Sequence, residues 1–177
     1  MDNIATERVW DPVVRIFHWT VVAGCILNLF IVDDDDLAHQ IIGYIVAIVL
    51  AVRVFWGFVG TRHARFSDFV PTPRALIDYV SLALQGREPR HVGHNPAAAV
   101  MMLTLMGLLA VVSLTGWMST LDMFWGVEWV EELHEGAAEA ILWLALIHTA
   151  AALYESLRHG ENLVWAMVTG RKRVSRG

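Results

Sequence analysis

Four long apolar segments restrict what this chain can fold into. They cover residues 13–32, 37–59, 96–117 and 137–157. Each is roughly 20 residues long, which at about 1.5 Å of rise per residue crosses a hydrocarbon core of about 30 Å. Hydrophobic residues make up 56% of the chain, against about 45–50% in an ordinary soluble domain. We therefore predict an all-α membrane protein whose single domain, residues 1–177, is a four-transmembrane-helix bundle in the lipid bilayer.

The aspartate run and the cysteine content exclude several other kinds of segment and cofactor site. The first segment ends in the aspartate run at 33–36 rather than in a small-residue cleavage site, so we keep it as a helix of the mature protein. Cys25 is the only cysteine, which excludes disulfides within the chain, iron–sulfur clusters and covalent c-type haem attachment. No nucleic-acid partner is expected.

The basic residues predict the orientation of the four spans. All 13 Lys and Arg residues fall near the N-terminus, between 53 and 90, or in the tail after residue 157, and four spans place these three stretches on one side. The positive-inside rule assigns that side to the cytoplasm, with both termini. The opposite loops are predicted to carry only acidic charges: Asp33, Asp34, Asp35, Asp36, Asp122, Glu128, Glu131, Glu132 and Glu135.

The long cytoplasmic loop contains an imperfect apolar stripe at helical spacing. It lies in residues 71–89, and Gly86 and Pro89 close it. We predict a short helix in the cytoplasmic interface, and a second one in residues 161–170 after the fourth span.

Four of the eight histidines lie in or at the end of a span. A polar imidazole in hydrocarbon costs free energy, so a histidine at such a position is interpreted as functional by default. His18 and His148 belong to the cytoplasmic half and form the inner pair. His39 and His134 belong to the external end and form the outer pair. His134 and His148 are 14 residues apart, so one helix presents both on nearly the same face, about 21 Å apart. Pairs of imidazoles facing each other across a bundle are typical of two stacked haem groups.

The histidines allow alternative interpretations. The remaining four, His63, His91, His94 and His159, are interpreted as solvated cytoplasmic loop residues. The chain has no short-spaced His/Cys cluster for zinc and no H-E-x-x-H motif. A proton or ion relay remains the main rival, although Glu139 and Glu155 lie near the ends of their span rather than at mid-depth. Depth and spacing favour two haems.

Two arginines near the inner histidines each allow two interpretations. Arg53 is placed to snorkel to the inner interface or to pair with a haem propionate, and Arg15, one turn before His18, allows the same two roles. Gly24 and Gly43 either leave room for a flat macrocycle or serve helix packing.

Three sequence blocks point to a known family. They are "RVWDPVVRIFHW" at 8–19, the R-x-x-W-G-x-x-G-x-x-x-A-R-F pattern at 53–66, and the spacing of His134 and His148. With them, nearly the whole chain resembles the bacterial cytochrome b561 family, which includes the b-type cytochrome subunits of nickel–iron hydrogenases. The resemblance implies a four-helix membrane cytochrome with two haem b groups, one held by His18 and His148 and the other by His39 and His134.

The resemblance also implies a function in a respiratory chain of the bacterial inner membrane. Family members exchange electrons with quinone, so ubiquinone or menaquinone is the expected substrate. The acidic external face would attract a cationic redox protein such as a cytochrome c. Two alternatives remain: a superoxide:quinone oxidoreductase, and a membrane cytochrome b subunit of a larger dehydrogenase or hydrogenase complex. The negative charge of the external face disfavours the first, because superoxide is an anion. The sequence allows an oligomer.

Overall fold

The computed structural model describes residues 4–87, 89 and 93–175. Within them the chain forms seven α-helices, two short strands and two single 3-10 turns, at Arg62–Ala64 and Asp122–Phe124. The strands are β1 (Ile4–Arg8) and β2 (Arg171–Ser175), and the helices are α1 (Pro12–Phe30), α2 (Leu37–Val59), α3 (Phe66–Phe69), α4 (Pro73–Leu84), α5 (Pro96–Ser119), α6 (Glu128–His159) and α7 (Leu163–Thr169).

The fold class predicted from the sequence is confirmed. Helices α1, α2, α5 and α6 are each long and apolar enough to cross a membrane, and the predicted bounds of the first three agree with the structure to within two residues. Many large apolar side chains on these helices are exposed, including Ile48, Phe58 and Trp143. Such exposure is costly in water but normal against lipid tails, because hydrocarbon is as apolar as the side chains.

Helix α6 begins earlier than the sequence predicted. It has 32 residues, about 48 Å of helix, and therefore extends well beyond a hydrocarbon core of about 30 Å. The assignment of Glu128, Glu131, Glu132 and Glu135 to a loop was wrong, since all four lie in the first turns of this helix. Their negative charge is favourable there because the N-terminus of a helix carries partial positive charge.

Both predicted short helices are present, as α4 and α7, and polar caps define their starts. The Thr72 hydroxyl accepts a hydrogen bond of 3.2 Å from the Ala75 N–H, directly before Pro73 at the first helical position. The Asn162 side chain accepts one of 2.8 Å from the Trp165 N–H. Gly86 and Gly170 then follow their helices with φ of 69° and 79°, a backbone conformation that favours glycine.

One compact unit combines residues 1–15, 55–102 and 147–177, the ranges that carry all Lys and Arg residues of the sequence except Arg53. Strands β1 and β2 pair antiparallel in it, with Arg8 opposite Arg171. The strand pair was not predicted, because its partners lie at the two chain ends with no hairpin turn between them. The hydrophobic core of this compact unit is formed by Val9, Trp10, Val14 and Ala64, with Trp56 and Met167 packed against them.

The other compact unit comprises residues 16–54 and 103–146. It contains most of α1 and α2, the C-terminal part of α5 and the N-terminal half of α6. Val46, Leu50, Met106, Leu109 and Ile141 are buried in it. Its helices bring the outer pair of histidines together.

Candidate functional site

His39 and His134 approach each other closely. Their ring centroids are 6.2 Å apart and their ring planes are inclined by 51°. Two imidazoles that bind one iron from opposite sides, each through a bond of about 2 Å, have ring centres about 6 Å apart. The separation therefore fits a bis-imidazole metal centre, to which α2 would contribute one ligand and α6 the other.

His39 sits near the start of α2, where the chain turns after the aspartate run. Its N–H donates to the Asp36 carbonyl at 3.0 Å, and the Asn28 amide of α1 donates to its carbonyl at 3.1 Å. The Asp34 carboxylate lies 3.7 Å from its Nδ1. These contacts fix the backbone at His39 and place a negative charge on the Nδ1 side of its ring.

His134 is held by α5. Its Nδ1 lies 3.1 Å from the Thr115 hydroxyl, and Thr115 is only 2% exposed. The next residue, Gly116, lies under the ring: a Cβ at this position would come within 3.0 Å of the His134 Cε1 atom. Helix α5 has no histidine in its described part, yet it positions one through these two residues.

The two glycines singled out from the sequence behave differently. A Cβ at Gly24 would lie 2.7 Å from a Val46 methyl group, so this glycine serves the close packing of α1 on α2. At Gly43 a Cβ would meet no atom within 4 Å. Gly43 is one helical turn after His39 and lies on the same face of α2. The space beside the outer pair is thus open on this side, as a flat macrocycle requires.

The two histidines of the inner pair are each half-buried in their own helix. His18 is half-buried in α1, and its ring makes an edge contact with Trp19 at a centroid distance of 5.0 Å. His148 is half-buried in the C-terminal half of α6. Their assignment as a pair stays a prediction based on depth.

The two arginines have different surroundings. Arg53 is 1% exposed, so its guanidinium does not reach water as a snorkelling arginine would. A charge buried to this degree is expensive unless an opposite charge or a set of hydrogen bonds offsets it. Arg15 donates through Nη2 to the Val168 carbonyl of α7, which ties the start of α1 to the C-terminal segment. A role for either arginine at a haem propionate stays a prediction.

Three of the remaining histidines are not free in solvent. The His94 ring lies between those of Trp10 and Phe69, in tilted contacts with centroid distances of 4.6 and 4.9 Å. The Nδ1 atom of His63 lies 3.3 Å from the Asp68 carboxylate. His159 Nε2 is 3.1 Å from Glu155. The interpretation of these side chains as solvated loop residues was wrong, because aromatic and acidic neighbours cover them. His91 lies outside the described residues.

Asp11 joins two of the blocks on which the family resemblance rests, and sequence reasoning missed it. Its carboxylate accepts hydrogen bonds from the Val14 N–H at 3.0 Å, Trp56 Nε1 at 2.9 Å and the Thr61 hydroxyl at 2.6 Å. Burial alone would raise the pKa of Asp11, but the bonds from Thr61, Trp56 and the backbone outweigh it and hold this pKa below its ordinary value. The Asp-Pro step before an apolar run was the available signal of a helix cap.

Several residues of the 53–66 block have a packing role. A Cβ at Gly57 would overlap the Phe66 ring, and one at Gly60 would lie 2.5 Å from the Trp56 carbonyl. Ala64 is 2% exposed in the core of the same unit. The conformation of the turn after α2 therefore depends on glycine at 57 and 60.

The fold and the outer pair define a class: a multi-pass α-helical membrane protein with imidazoles from two helices facing each other. Comparison with known proteins gives the family. The model of the prokaryotic cytochrome b561 family matches residues 9–170, and the chain belongs to this family. It is therefore a bacterial membrane b-type cytochrome of electron transfer, with haem b as its prosthetic group.

Curated relatives carry a more specific name. The chain is similar to probable Ni/Fe-hydrogenase B-type cytochrome subunits of Rhodobacter capsulatus, at 25% identity over 93% of this chain and 80% of the relative, and of Azotobacter vinelandii, at 29% identity over 92% and 86%. The Escherichia coli K12 hydrogenase 1 subunit is 27% identical over 65% of this chain and 60% of its own length. No solved structure matches the chain significantly.

Proposed function

We propose that this protein carries electrons across the bacterial inner membrane through two b haems, between the quinone pool and an external redox partner. The outer pair, His39 and His134, would bind one haem. The inner pair, His18 and His148, would bind the other. Each haem would supply a one-electron iron couple when bound.

The 6.2 Å separation of the His39 and His134 rings carries this proposal. It supports the outer ligand pair directly, and the open space at Gly43 supports room for a porphyrin next to it. The inner pair follows from the position of His148 on the same helix as His134, 14 residues further on. Two centres on one helix, about 21 Å apart, give electrons a route between the two sides of the bilayer.

The contacts of the first compact unit support one predicted feature of the topology. Residues of the N-terminal segment, the middle loop and the C-terminal tail touch one another: Asp11 binds Trp56 and Thr61, and Arg158 donates to the Gly86 carbonyl at 2.6 Å. Segments in contact lie on the same side of the membrane, as four spans require. Their Lys and Arg residues favour the cytoplasmic side, with both termini.

The acidic residues at the other ends of the spans support an external partner with positive charge. Asp33, Asp34, Asp35 and Asp36 follow α1, and Glu131 and Glu132 lie in exposed positions at the start of α6. A negative surface of this kind steers a basic redox protein, such as a cytochrome c, and this steering weakens as salt rises. On the inner side, ubiquinone or menaquinone would exchange electrons.

Haem content tests the ligand assignment. The purified chain should contain two irons, and its reduced-minus-oxidised spectrum should be that of low-spin b haem. His148→Ala and His134→Ala should each remove one haem and leave the other. His159→Ala is the matched control, because this histidine of the same helix pairs with Glu155 and is not an assigned ligand. Two haems in both ligand variants, or a colourless wild-type protein, would refute the assignment.

Electron flow is tested in vesicles that contain the purified protein. A quinol should reduce the haems, and a basic cytochrome c added to the acidic side should reoxidise them at a rate that falls with ionic strength. Replacement of Glu131 and Glu132 by Gln should slow the second step only. Reoxidation that is independent of salt and of these charges would exclude the electrostatic partner site.

A second candidate is a membrane cytochrome b subunit of a larger hydrogenase or dehydrogenase complex, which the names of the relatives favour. In that case a hydrogenase subunit would take the place of the external cytochrome. Native membranes should then show reduction of these haems by hydrogen gas. Haems that hydrogen leaves oxidised, while quinol reduces them, would exclude this candidate.

A superoxide:quinone oxidoreductase is the enzymatic alternative. It predicts fast haem reduction by superoxide in stopped flow, and haems that superoxide leaves oxidised would exclude it. The acidic external residues argue against it because they repel the anionic substrate.

A further inference from the structure

We infer that Thr115 of α5 is a positioning residue for the outer centre, because its hydroxyl accepts a hydrogen bond from His134 Nδ1–H. This bond fixes the tautomer that presents Nε2 as the iron ligand. It also lowers the reduction potential of the outer haem. The inference rests on the proposed function. It adds a role for a helix that supplies no histidine to the proposed ligand pairs.

The hydrogen bonds around the Thr115 hydroxyl indicate which group donates. Its oxygen lies 2.8 Å from the Val111 carbonyl and 3.2 Å from the Val112 carbonyl. Both carbonyls can only accept, and a threonine hydroxyl has a single proton. That proton goes to the preceding turn, as is usual for threonine inside a helix. The lone pairs of the oxygen then face His134 Nδ1 at 3.1 Å, and the ring nitrogen is the donor.

The direction of this hydrogen bond sets the tautomer of His134, because a ring nitrogen that donates must carry the proton. A neutral imidazole with its proton on Nδ1 has its lone pair on Nε2. This nitrogen is then available to a metal.

The hydrogen bond is buried on the α5 side of the site, which makes it stronger than the same bond in water. Thr115 is buried, and Gly116 lets the His134 ring lie against the α5 backbone. A hydrogen bond from the distal N–H of a ligating histidine raises the basicity of the ligand. A more basic ligand stabilises oxidised iron over reduced iron, so the hydrogen bond lowers the potential.

Potentiometric titration of the purified holoprotein tests this inference. Thr115→Val removes the acceptor with little change of shape, and we expect the potential of the outer haem to rise by an amount equivalent to about a tenfold change in its reduction equilibrium, about 59 mV for one electron. The potential of the inner haem should stay constant. Thr115→Ser keeps the hydroxyl and should restore the wild-type value.

A matched control separates the effect from the loss of any threonine hydroxyl that bonds to the backbone. Thr120 also donates its hydroxyl proton to a backbone carbonyl, that of Trp117 at 2.7 Å, but it lies in an exposed position directly after α5. Thr120→Val should leave both potentials unchanged. An unchanged potential in Thr115→Val, or an equal shift in Thr115→Ser, would overturn the inference.

The inference and the proposed function fail in different ways. If His134→Ala keeps both haems, the ligand assignment fails. If His134→Ala loses one haem and Thr115→Val titrates as wild type, only the role of Thr115 fails. Should Thr115→Val not accumulate, ¹⁵N NMR of the reduced wild-type protein decides: His134 Nδ1 must carry a proton, and an unprotonated Nδ1 overturns the inference.

Discussion

Trp56 donates a hydrogen bond of 2.9 Å from its indole nitrogen to the Asp11 carboxylate, across 45 residues of sequence. The same carboxylate caps α1 through the Val14 N–H and accepts the Thr61 hydroxyl. Asp11 is buried, so one side chain fixes the start of the first span to the segment that leaves the second. The two conspicuous sequence blocks therefore belong to one structural feature.

Replacement of Asp11 by alanine should destabilise the protein. Trp56 and Thr61 would lose their acceptor and α1 its cap, each at a cost of about 1 kcal/mol or more. We expect a loss of about 3 kcal/mol, measured as a fall in the thermal unfolding temperature in detergent. Thr61→Val removes one of the three bonds and should cost about a third as much. Equal unfolding temperatures for Asp11→Ala and wild type would contradict this role of Asp11.

The same contacts predict a pH dependence. Because the hydrogen bonds hold the pKa of folded Asp11 below its ordinary value of 3.8, the folded state favours the carboxylate more than the unfolded state does. This contribution is complete well above the unfolded pKa of about 3.9 and is lost as the pH falls toward the folded pKa. The stability advantage of wild type over Asp11→Asn should thus be constant from pH 7 to 5 and shrink below about pH 4. An advantage that persists unchanged to pH 3 would exclude this linkage.

The main features of the fold were predictable from the sequence because they depend on local properties. Apolar length placed α1, α2 and α5 closely, and the cap at Thr72 and the apolar stripe placed α4. The start of α6 was missed because hydropathy marks where lipid contact begins, whereas the helix starts nine residues before the predicted span, in an acidic segment. Hydropathy has no signal for helix that continues into water.

The candidate site was predictable only in part. Depth along the spans paired His39 with His134, and the structure brings these two rings together. Thr115 and Gly116 were not predicted, because their role depends on the rotation of α5 about its axis, and α5 has no apolar stripe that would fix this rotation from sequence. The surroundings of His63 and His94 were misread for a related reason, since their neighbours Glu7 and Trp10 come from the distant N-terminal segment.

Gly57 should not tolerate a side chain. A Cβ at this position would overlap the Phe66 ring, so Gly57→Ala must displace α3, at a cost of about 1–3 kcal/mol. Gly107→Ala is the matched control in α5, where a Cβ would meet no atom within 4 Å. Thermal unfolding in detergent should separate the two variants. A Gly57→Ala protein as stable as Gly107→Ala would show that Phe66 moves aside without cost.

Gly43 tests whether the space next to the outer pair is occupied by a cofactor. A Cβ there meets no protein atom within 4 Å, so by packing within the chain alone Gly43→Leu should fold normally. If a haem held by His39 and His134 fills this space, the leucine side chain competes with the porphyrin, and the outer haem should be lost or bound with a shifted spectrum while the inner haem remains. Gly136→Leu is the control, because Gly136 is exposed on α6 with equally open surroundings and should keep both haems. Pyridine haemochrome quantification per chain measures the outcome, and two intact haems in Gly43→Leu would place the porphyrin away from this face of α2.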